Sequence, residues 1–571
     1  MATEIELKLQ LTPQTAQRLS AHPLLAGIQP QGQHLLNTYY DTPALDLNAR
    51  RIGLRFRKKG RQWLLTVKSA ATVSGGLALR DEWEARAKPG QFDFSHVDAP
   101  KFRAILDEAL PRLQAIFTTD FRRLAWQVPF GRSRIELVLD RGKIESDGRA
   151  TPICEIELEL ISGDVGDVFA VARQLQETLD LRPAVASKAE RGYALFNNAQ
   201  EKPFRAKAAV LDAGMSPVEA FRAIALGCLE QFQRNENGLV SASEDPEYVH
   251  QARIALRRLR SAIKLFAPVL PADFVATYNL AWQNLGTALG ESRNWDVFVS
   301  ETMPPILADF PNDRNTRRLL TEGMRRAKRA RTASAHVVGL PDYSRLIVEF
   351  TAAVYGLQDQ QRQDLTKFAR KRLRSRDRQA RLLAERVAEL TPEDRHRMRI
   401  CFKKLRYAIE FFTPLLSPKR LRPNLLALTQ LQDELGLIND QVTARTLVCS
   451  TSVRAVTWSP PGHSSNRRWK GAPPDPFTAG SPAATSCCCA PCRKRSIPGW
   501  RSACPGDRAR GRNAALTGST ALPGPRPGRY PRLAIAGRKT SVTSTCCPPS
   551  RCSERRAQRQ DPAAPRPAAR R

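Results

Sequence analysis

The chain has little that would take it across a membrane. No stretch of its 571 residues approaches the ~18–20 apolar residues of a spanning helix. No apolar run follows the first methionine, so no secretory leader is expected. Acidic residues are scarce beside basic ones, 56 Asp+Glu against 90 Lys+Arg, for a formal net charge of +34. Cysteines do not form ligand-like sets. Cys154, Cys228, Cys401 and Cys449 lie far apart and read as reduced thiols. The others fall beyond residue 450, where Cys489-x-x-Cys492 has no second CxxC at finger spacing and no histidine beside it, so structural zinc is not expected. These features fit a cytoplasmic protein with no membrane attachment. A chain this basic also calls for a polyanionic partner: nucleic acid, anionic lipid or polyphosphate.

The charge is uneven. Residues 451–571 hold 23 Lys+Arg against 4 Asp+Glu, a net +19, and the first 450 residues keep 67 against 52, a net +15. The last segment has neither the period of a strand nor that of a helix. It is rich in Arg, Pro, Ala, Gly and Ser, a composition that predicts a disordered tail over 449–571 or the product of a shifted reading frame.

Residues 1–200 alternate apolar and polar positions in short runs broken by Gly, Pro and Asp: 4–9, 35–41, 51–58, 62–69, 79–86, 120–128, 132–140 and 153–160. Eight such strands suffice for a closed antiparallel β-barrel. Helical patterns interrupt them near 13–21, 101–115 and 164–180. A polar, Ala-rich linker over 201–214 leads into a helical period that runs from Ser216 to about Val448. The expected fold is α+β: an antiparallel eight-stranded β-barrel over 1–200, then an all-α domain over 215–448.

That helical domain repeats itself. His250-Gln-Ala-Arg253-Ile-Ala-Leu-Arg257-Arg258-Leu-Arg260 recurs as His396-Arg-Met-Arg399-Ile-Cys-Phe-Lys403-Lys404-Leu-Arg406, at an offset of 146. The same offset pairs Phe266 with Phe412, Pro268 with Pro414, Leu285 with Leu431 and Gly290 with Gly436. Two pseudo-repeated helical bundles are expected.

Charged rows mark the strands. Glu4, Glu6 and Lys8 share one face, as do Arg55 with Arg57, Thr66 with Lys68, and Arg80 with Glu82 and Glu84. Glu136 and Asp140 lie in another row with Arg132 and Arg134, and Glu155, Glu157 and Glu159 form a last one. One charged face on one strand is usually a solvated face. A full set leaves two arrangements open: charges outside over an apolar interior, or helices over an apolar outside and charges lining a tunnel. Periodicity alone does not choose between them.

In order, Glu4-x-Glu6-x-Lys8, Tyr39-Tyr40-Asp41-Thr42, Leu54-Arg-Phe-Arg57, Thr66-Val-Lys68, Asp81-Glu-Trp-Glu84, Glu155-Ile-Glu-Leu-Glu159 and Ser187-Lys188…Arg191-Gly-Tyr193 resemble the CYTH domain of the triphosphate tunnel metalloenzymes. The resemblance implies an eight-stranded tunnel that hydrolyses inorganic triphosphate with Mg²⁺ or Mn²⁺. It implies Glu4 and Glu6 as metal ligands, joined by some of Glu155, Glu157 and Glu159. Lys8, Arg55, Arg57, Lys68, Arg123 and Lys188 become triphosphate binders, although Arg122 and Arg123 are adjacent and only one can point inward. Glu82, Glu84, Glu136 and Asp140 become supporting acids. The residue types suit this chemistry, because Lys and Arg neutralise phosphate oxygens and hard divalent cations take carboxylates. An adenylate cyclase, a thiamine triphosphatase and a non-catalytic polyphosphate-binding protein remain as alternatives.

In the helical repeat His250, Arg253, Arg257 and Arg260, and again His396, Arg399, Lys403 and Arg406, fall in one stripe roughly 80° wide and ~15 Å long. Ala252, Leu256, Leu259, Ile263 and Phe266 form the neighbouring apolar stripe. Uncompensated cations in such a row destabilise a helix unless an anion or acidic neighbours offset them. The doubled motif resembles the CHAD domain, which implies binding of inorganic polyphosphate and a place at polyphosphate granules. Nucleic acid is the rival partner, but no aromatic residues are interleaved to stack bases.

Overall fold

The computed structural model of the chain describes residues 2–452 apart from 70, 71, 75 and 360–362. The expected tail, with Cys489 and Cys492, lies outside the described residues apart from its first four positions. Those four, 449–452, are helical.

The N-terminal part is built from β1 (Ala2–Gln10), β2 (Gln31–Asp41), β3 (Gly53–Lys59), β4 (Gln62–Lys68), β5 (Thr72–Ser74), β6 (Leu77–Arg86), β7 (Gln114–Phe130), β8 (Ser133–Ser146), β9 (Arg149–Ser162) and β10 (Arg182–Pro183). Helices α1 (Pro13–Leu19), α2 (Asp46–Ala49), α3 (Pro100–Ala109), α4 (Val165–Gln176) and α5 (Lys188–Phe196) connect or follow them. All pairings are antiparallel, in the order β10-β1-β9-β8-β7-β2-β3-β4-β6-β5, and β1 pairs with β6 as well as with β9. Tight turns set the long hairpin of β8 and β9, where Asp147 and Gly148 both take positive φ (48° and 74°); Asp-Gly suits such a turn.

The elements differ from the expectation in places. The helix expected to 115 stops at Ala109, because Pro111 sits in a 3₁₀ turn over Leu110–Arg112 and cannot continue an α-helix. β7 then starts at Gln114, well ahead of 120, and β8 and β9 also run past their expected ends. Arg132 lies in the turn before β8 and Arg134 is exposed, so neither joins Glu136 and Asp140 inside. Helix α5 carries the Ser187–Tyr193 motif and has no counterpart in the periodicity reading.

The apolar rows face the helices. Leu7, Leu9, Leu137, Leu139, Ile156 and Leu158 pack with Leu19 of α1 and with Val168, Phe169, Val171 and Leu175 of α4. On the other side Leu54, Phe56, Leu65, Val67 and Trp83 pack with Leu106 and Ala109 of α3. Of the two arrangements open to the sequence, the charged rows therefore lie inside.

Eleven helices follow among the described residues: α6 (Pro217–Gln233), α7 (Glu236–Val240), α8 (Pro246–Phe266), α9 (Ala272–Ala288), α10 (Gly290–Val297), α11 (Met303–Asp309), α12 (Arg314–Gly339), α13 (Pro341–Tyr355), α14 (Leu365–Ala384), α15 (Pro392–Phe411) and α16 (Pro418–Ser452). Asp245 caps α8 and Thr391 caps α15, each accepting a backbone N–H. Each of these helices ends in a 3₁₀ turn, Ala267–Val269 and Thr413–Leu415. The rings of Phe266 and Phe412 meet with centroids 5.7 Å apart. The two stretches diverge further on: the chain breaks between α9 and α10 beside Gly290, whereas α16 passes through Gly436 and on beyond Val448. The two parts of the chain touch where α13 packs on α4. Val348 joins the cluster around Phe169, and the rings of Phe169 and Tyr355 lie 6.1 Å apart.

Helix α5 sits on the sheet through a glycine. A Cβ at Gly192 would lie 2.1 Å from Cε2 of Phe117 on β7. Gly192→Ala should therefore push α5 off β7 and lower stability by about 1–3 kcal/mol, read as a fall in the thermal unfolding midpoint; an unchanged midpoint would mean α5 is not seated this way.

Candidate active site

The inward rows enclose a cavity of about 1020 Å³. Its cations include Lys8, Arg55, Arg57, Lys68, Arg123 and Lys188. Its acids include Glu6, Glu82, Glu84, Glu136, Glu157 and Glu159. Asp140 and Glu155 lie against the same cations, fully buried behind them. The Glu4 side chain is outside the described residues; its backbone pairs with Arg80 on β6.

Lys188 is the hub. Its Nζ lies 2.7 Å from Asp140 Oδ2 and 3.0 Å from Glu157 Oε1, and it also pairs with Glu155 Oε1. Ser187 and Glu190 form a capping box that starts α5 and so aims Lys188 inward. Arg123 grips Asp140 with two bonds of 2.7 Å and donates to Glu157 Oε2 at 2.7 Å. Lys8 Nζ reaches Glu157 at 2.6 Å and Glu6 at 2.9 Å. Burial alone would lower the pKa of Lys188, but Asp140, Glu155 and Glu157 outweigh it and hold the ammonium well above its usual range. Burial would likewise raise Glu157, and Lys188, Lys8 and Arg123 reverse that, so its carboxyl stays far below the usual range.

A second group lines β3, β4 and β6. Lys68 Nζ lies 2.9 Å from Glu82, and Arg57 Nη1 3.5 Å from Glu84, which also accepts from Thr66 at 2.9 Å. Arg55 is buried and donates from Nη1 to Tyr39 Oη at 3.1 Å. Its Nε and Nη2 have no hydrogen-bond acceptor, and Glu82 stands 3.5 Å away. A third group runs across three strands: Glu6 is opposite Glu159, and Glu159 is opposite Glu136.

Of the side chains predicted from the sequence, Glu6, Lys8, Arg55, Arg57, Lys68, Glu82, Glu84, Arg123, Glu136, Glu157, Glu159 and Lys188 line one cavity, Asp140 and Glu155 lie behind it, and that of Glu4 is outside the described residues. Arg123 points in and Arg122 is exposed. Three contributors went unrecognised. Asn37 accepts from Arg57 Nε at 3.0 Å and donates to Thr119 at 2.8 Å. Tyr39 is the partner of Arg55, and Arg191 lies 3.4 Å from Glu155. Asn37 and Tyr39 do share a face of β2 with Leu35, but a row of neutral residues does not stand out.

The helical row is arranged differently. Arg257 on α8 acts across to Arg399 and Lys403 on α15, and the Nε atoms of Arg257 and Arg399 are buried without acceptors. Burial, with Arg257 and Arg399 adding to it, pushes Lys403 down to about 7. Burial, Arg293, Arg257 and Arg253 together push His250 down to about 4. Arg253 donates to the Gly286 carbonyl at 2.5 Å and Arg260 to Gln283 at 2.7 Å, while Arg406 pairs with Glu410 at 3.2 Å. His396 is exposed, so the two histidines of the doubled motif do not share an environment.

Residues 2–193 match the CYTH domain and residues 223–449 the CHAD domain. The chain carries a CYTH domain followed by a CHAD domain. An inorganic triphosphatase of Haemophilus influenzae is 38% identical over 202 residues, 34% of this chain, and the match spans only 55% of that relative. Among solved structures, the CHAD domain of the plant Ricinus communis is 34% identical over 45% of this chain and 86% of its own, with a TM-score of 0.39. A Hippeastrum putative adenylyl cyclase, described as having a dominant triphosphatase activity, is 22% identical over 35% of this chain and 98% of its own, with a TM-score of 0.27.

In the CYTH domain, the pKa of Lys188 lies above its unfolded value, so its contribution to stability is complete below about 10.4 and is lost only in strong alkali. Lys188→Met leaves three buried carboxylates facing one another and should cost about 3–5 kcal/mol at pH 7. The loss should shrink toward pH 5 as one carboxyl protonates, which denaturant titrations at the two pH values would measure.

Proposed function

We propose that the CYTH domain hydrolyses inorganic triphosphate with a divalent cation, Mg²⁺ or Mn²⁺, inside an eight-stranded tunnel, and that the CHAD domain binds polyphosphate. The ring of pairings that leaves β1 through β9 and returns through β6 supports the tunnel. The observation that carries the activity is Arg55: a buried guanidinium on an enclosed, cation-lined cavity, with two nitrogens lacking acceptors. Buried donors are rarely left unpaired, and phosphate oxygens are the natural partners of an arginine fork. The 38% identical relative, an inorganic triphosphatase, favours the same substrate.

The charge balance also argues for a metal. Lys8, Arg57, Lys68, Arg123 and Lys188 each pair with an acid, and Arg55 has only Glu82 at 3.5 Å. A triphosphate that takes over Lys8, Arg57 and Lys68 strips partners from Glu6, Glu84 and Glu82. Asp140, Glu155 and Glu157 bring carboxylate oxygens within 4.8 Å of one another, but Lys188 already bridges them. The facing positions of Glu6, Glu159 and Glu136, with Glu4 in the same row of β1, offer a second set of carboxylates to a hard cation. A divalent ion there would supply an activated water and neutralise charge on the departing phosphate. Arg55, Arg57 and Lys68 would hold the phosphate chain from the opposite wall, and Lys8 would stand beside the row.

Purified protein should hydrolyse triphosphate with Mg²⁺ or Mn²⁺ and stop with chelator. A preference for ATP with a cyclic product, or for thiamine triphosphate, would overturn the substrate. Polyphosphate binding without turnover would favour the binding-protein reading. Glu4→Gln with Glu6→Gln should lower kcat about 100-fold or more, and unchanged metal-dependent rates would refute the ligand set.

For the CHAD domain the support is the row of Arg257, Arg399 and Lys403, three cations facing one another with Asp440 as the acid acting on two of them. A bound polyanion favours the charged ammonium, so binding above pH 7 must take up a proton. Affinity for long-chain polyphosphate, measured by calorimetry with chelator present, should be highest below pH 7 and fall by up to about ten-fold per pH unit above it. Tighter binding of duplex DNA would make nucleic acid the partner. If polyphosphate is bound in the cell, a cytoplasmic place at polyphosphate granules follows.

A further inference from the structure

The cavity is not walled by the CYTH domain alone. Phe204 and Lys207 of the connecting segment, and Gly227, Glu230 and Arg234 at α6, line one side of it. Arg234 caps the C-terminus of α6, where a cation is favoured by the helix dipole. Its guanidinium lies 5.2 Å from the ring centroid of Phe204. Asn235 fixes Phe204 by accepting from its N–H and donating to its carbonyl, both at 2.9 Å. Arg234 Nε bonds Glu230 at 2.7 Å and Nη2 bonds Glu190 at 3.1 Å.

Glu190 is the acid of the α5 capping box. One oxygen accepts the Ser187 N–H at 2.9 Å and the other takes Arg234, while Ser187 Oγ accepts the Glu190 N–H at 3.1 Å. Lys188, between those two residues, is the hub of the buried cluster. A helix of nine residues is marginal by itself, so its direction depends on what holds its ends. Tyr193, donating to Asp41 at 3.0 Å, and Gly192 against Phe117 hold its middle; Glu190 ties its start to α6.

We infer that Arg234 is a positioning residue for the tunnel: through Glu190 the helical domain fixes the start of α5 and with it Lys188, so the CHAD side of the chain sets how tightly the tunnel holds phosphate. This rests on the reading that triphosphate binds in the tunnel. The ion pair is partly exposed, and its effect is correspondingly modest.

Arg234→Ala should raise KM for tripolyphosphate about three- to five-fold with kcat within about two-fold of wild type. Glu190→Gln should do the same, since glutamine keeps the capping box, and the double variant should add nothing. Arg234→Lys should restore most of the loss. In a Lys188→Ala background Arg234→Ala should have no further effect, which a merely structural role would not predict. The same cycle is read as Kd by calorimetry with tripolyphosphate and chelator, with Arg257, Arg399 and Lys403 replaced by Ala to silence the helical row. Wild-type KM and Kd in Arg234→Ala, or equal losses with and without Lys188, would overturn the inference. A chain that binds tripolyphosphate without hydrolysing it would sink the proposed activity and leave Arg234 to the Kd cycle; one that does not bind it at all would overturn both.

Discussion

Lys188 sits among Asp140, Glu155 and Glu157, and the charged interior of the CYTH domain is organised around that contact. Charges taken out of water must be paired or they cost several kcal/mol each. Here the pairing is reciprocal: Arg123 and Lys8 satisfy the oxygens that Lys188 leaves, and Arg191 reaches Glu155 from the next turn of α5. The backbone serves the same end. Gly192 lets α5 come close enough to β7, and Asp41 anchors Tyr193 while also accepting the N–H groups of Thr42, Leu47 and Asn48. Removing the ammonium would leave Asp140 and Glu155, both buried behind the cavity wall, short of a cation.

The two charged regions of the chain solve the same problem in opposite ways. In the CYTH domain the cations Lys8, Arg57, Lys68, Arg123 and Lys188 each have an acid, and Lys188 and Glu157 at the centre are held charged over a wide pH range. In the CHAD domain like charges face one another from α8 and α15, with Asp440 the acid acting on Arg399 and Lys403. The cost appears as depressed basicity at His250 and Lys403. A compensated site exchanges partners when a polyanion enters, and so calls for a second cation. A row with more cations than acids gains charge and relief from the polyanion itself.

Much of this was legible along the chain. Alternation identified the charged rows strand by strand, since side chains two apart share a face, and the 146-residue offset paired the basic motifs that lie on α8 and α15. Other features were not. Helix α5 is short, and its amphipathic pattern is too brief to register as a period. Asn37 and Tyr39 are neutral, and their role comes from the arginines of the neighbouring strand. A helix boundary stands beside Gly290 and an unbroken helix runs through Gly436, a difference that identical residues at a fixed offset do not disclose. The end of α16 beyond Val448 is a matter of packing, with Leu447 and Val448 set against the cluster of Trp295, Phe298 and Met303.

The sequence by itself determined which residues travel together: Glu4 with Glu6 and Lys8, Arg55 with Arg57, Glu155 with Glu157 and Glu159, and the basic stripe with its apolar neighbour. A period of two or of 3.6 residues decides membership of a face and nothing more. The tertiary structure decided which face is inside, because that depends on helices α1, α3 and α4 covering the apolar rows from outside. It also decided that Arg123 rather than Arg122 enters the cavity, and that α6 closes part of its wall. Pairings between strands and helices far apart in the chain set those outcomes, and no local pattern contains them.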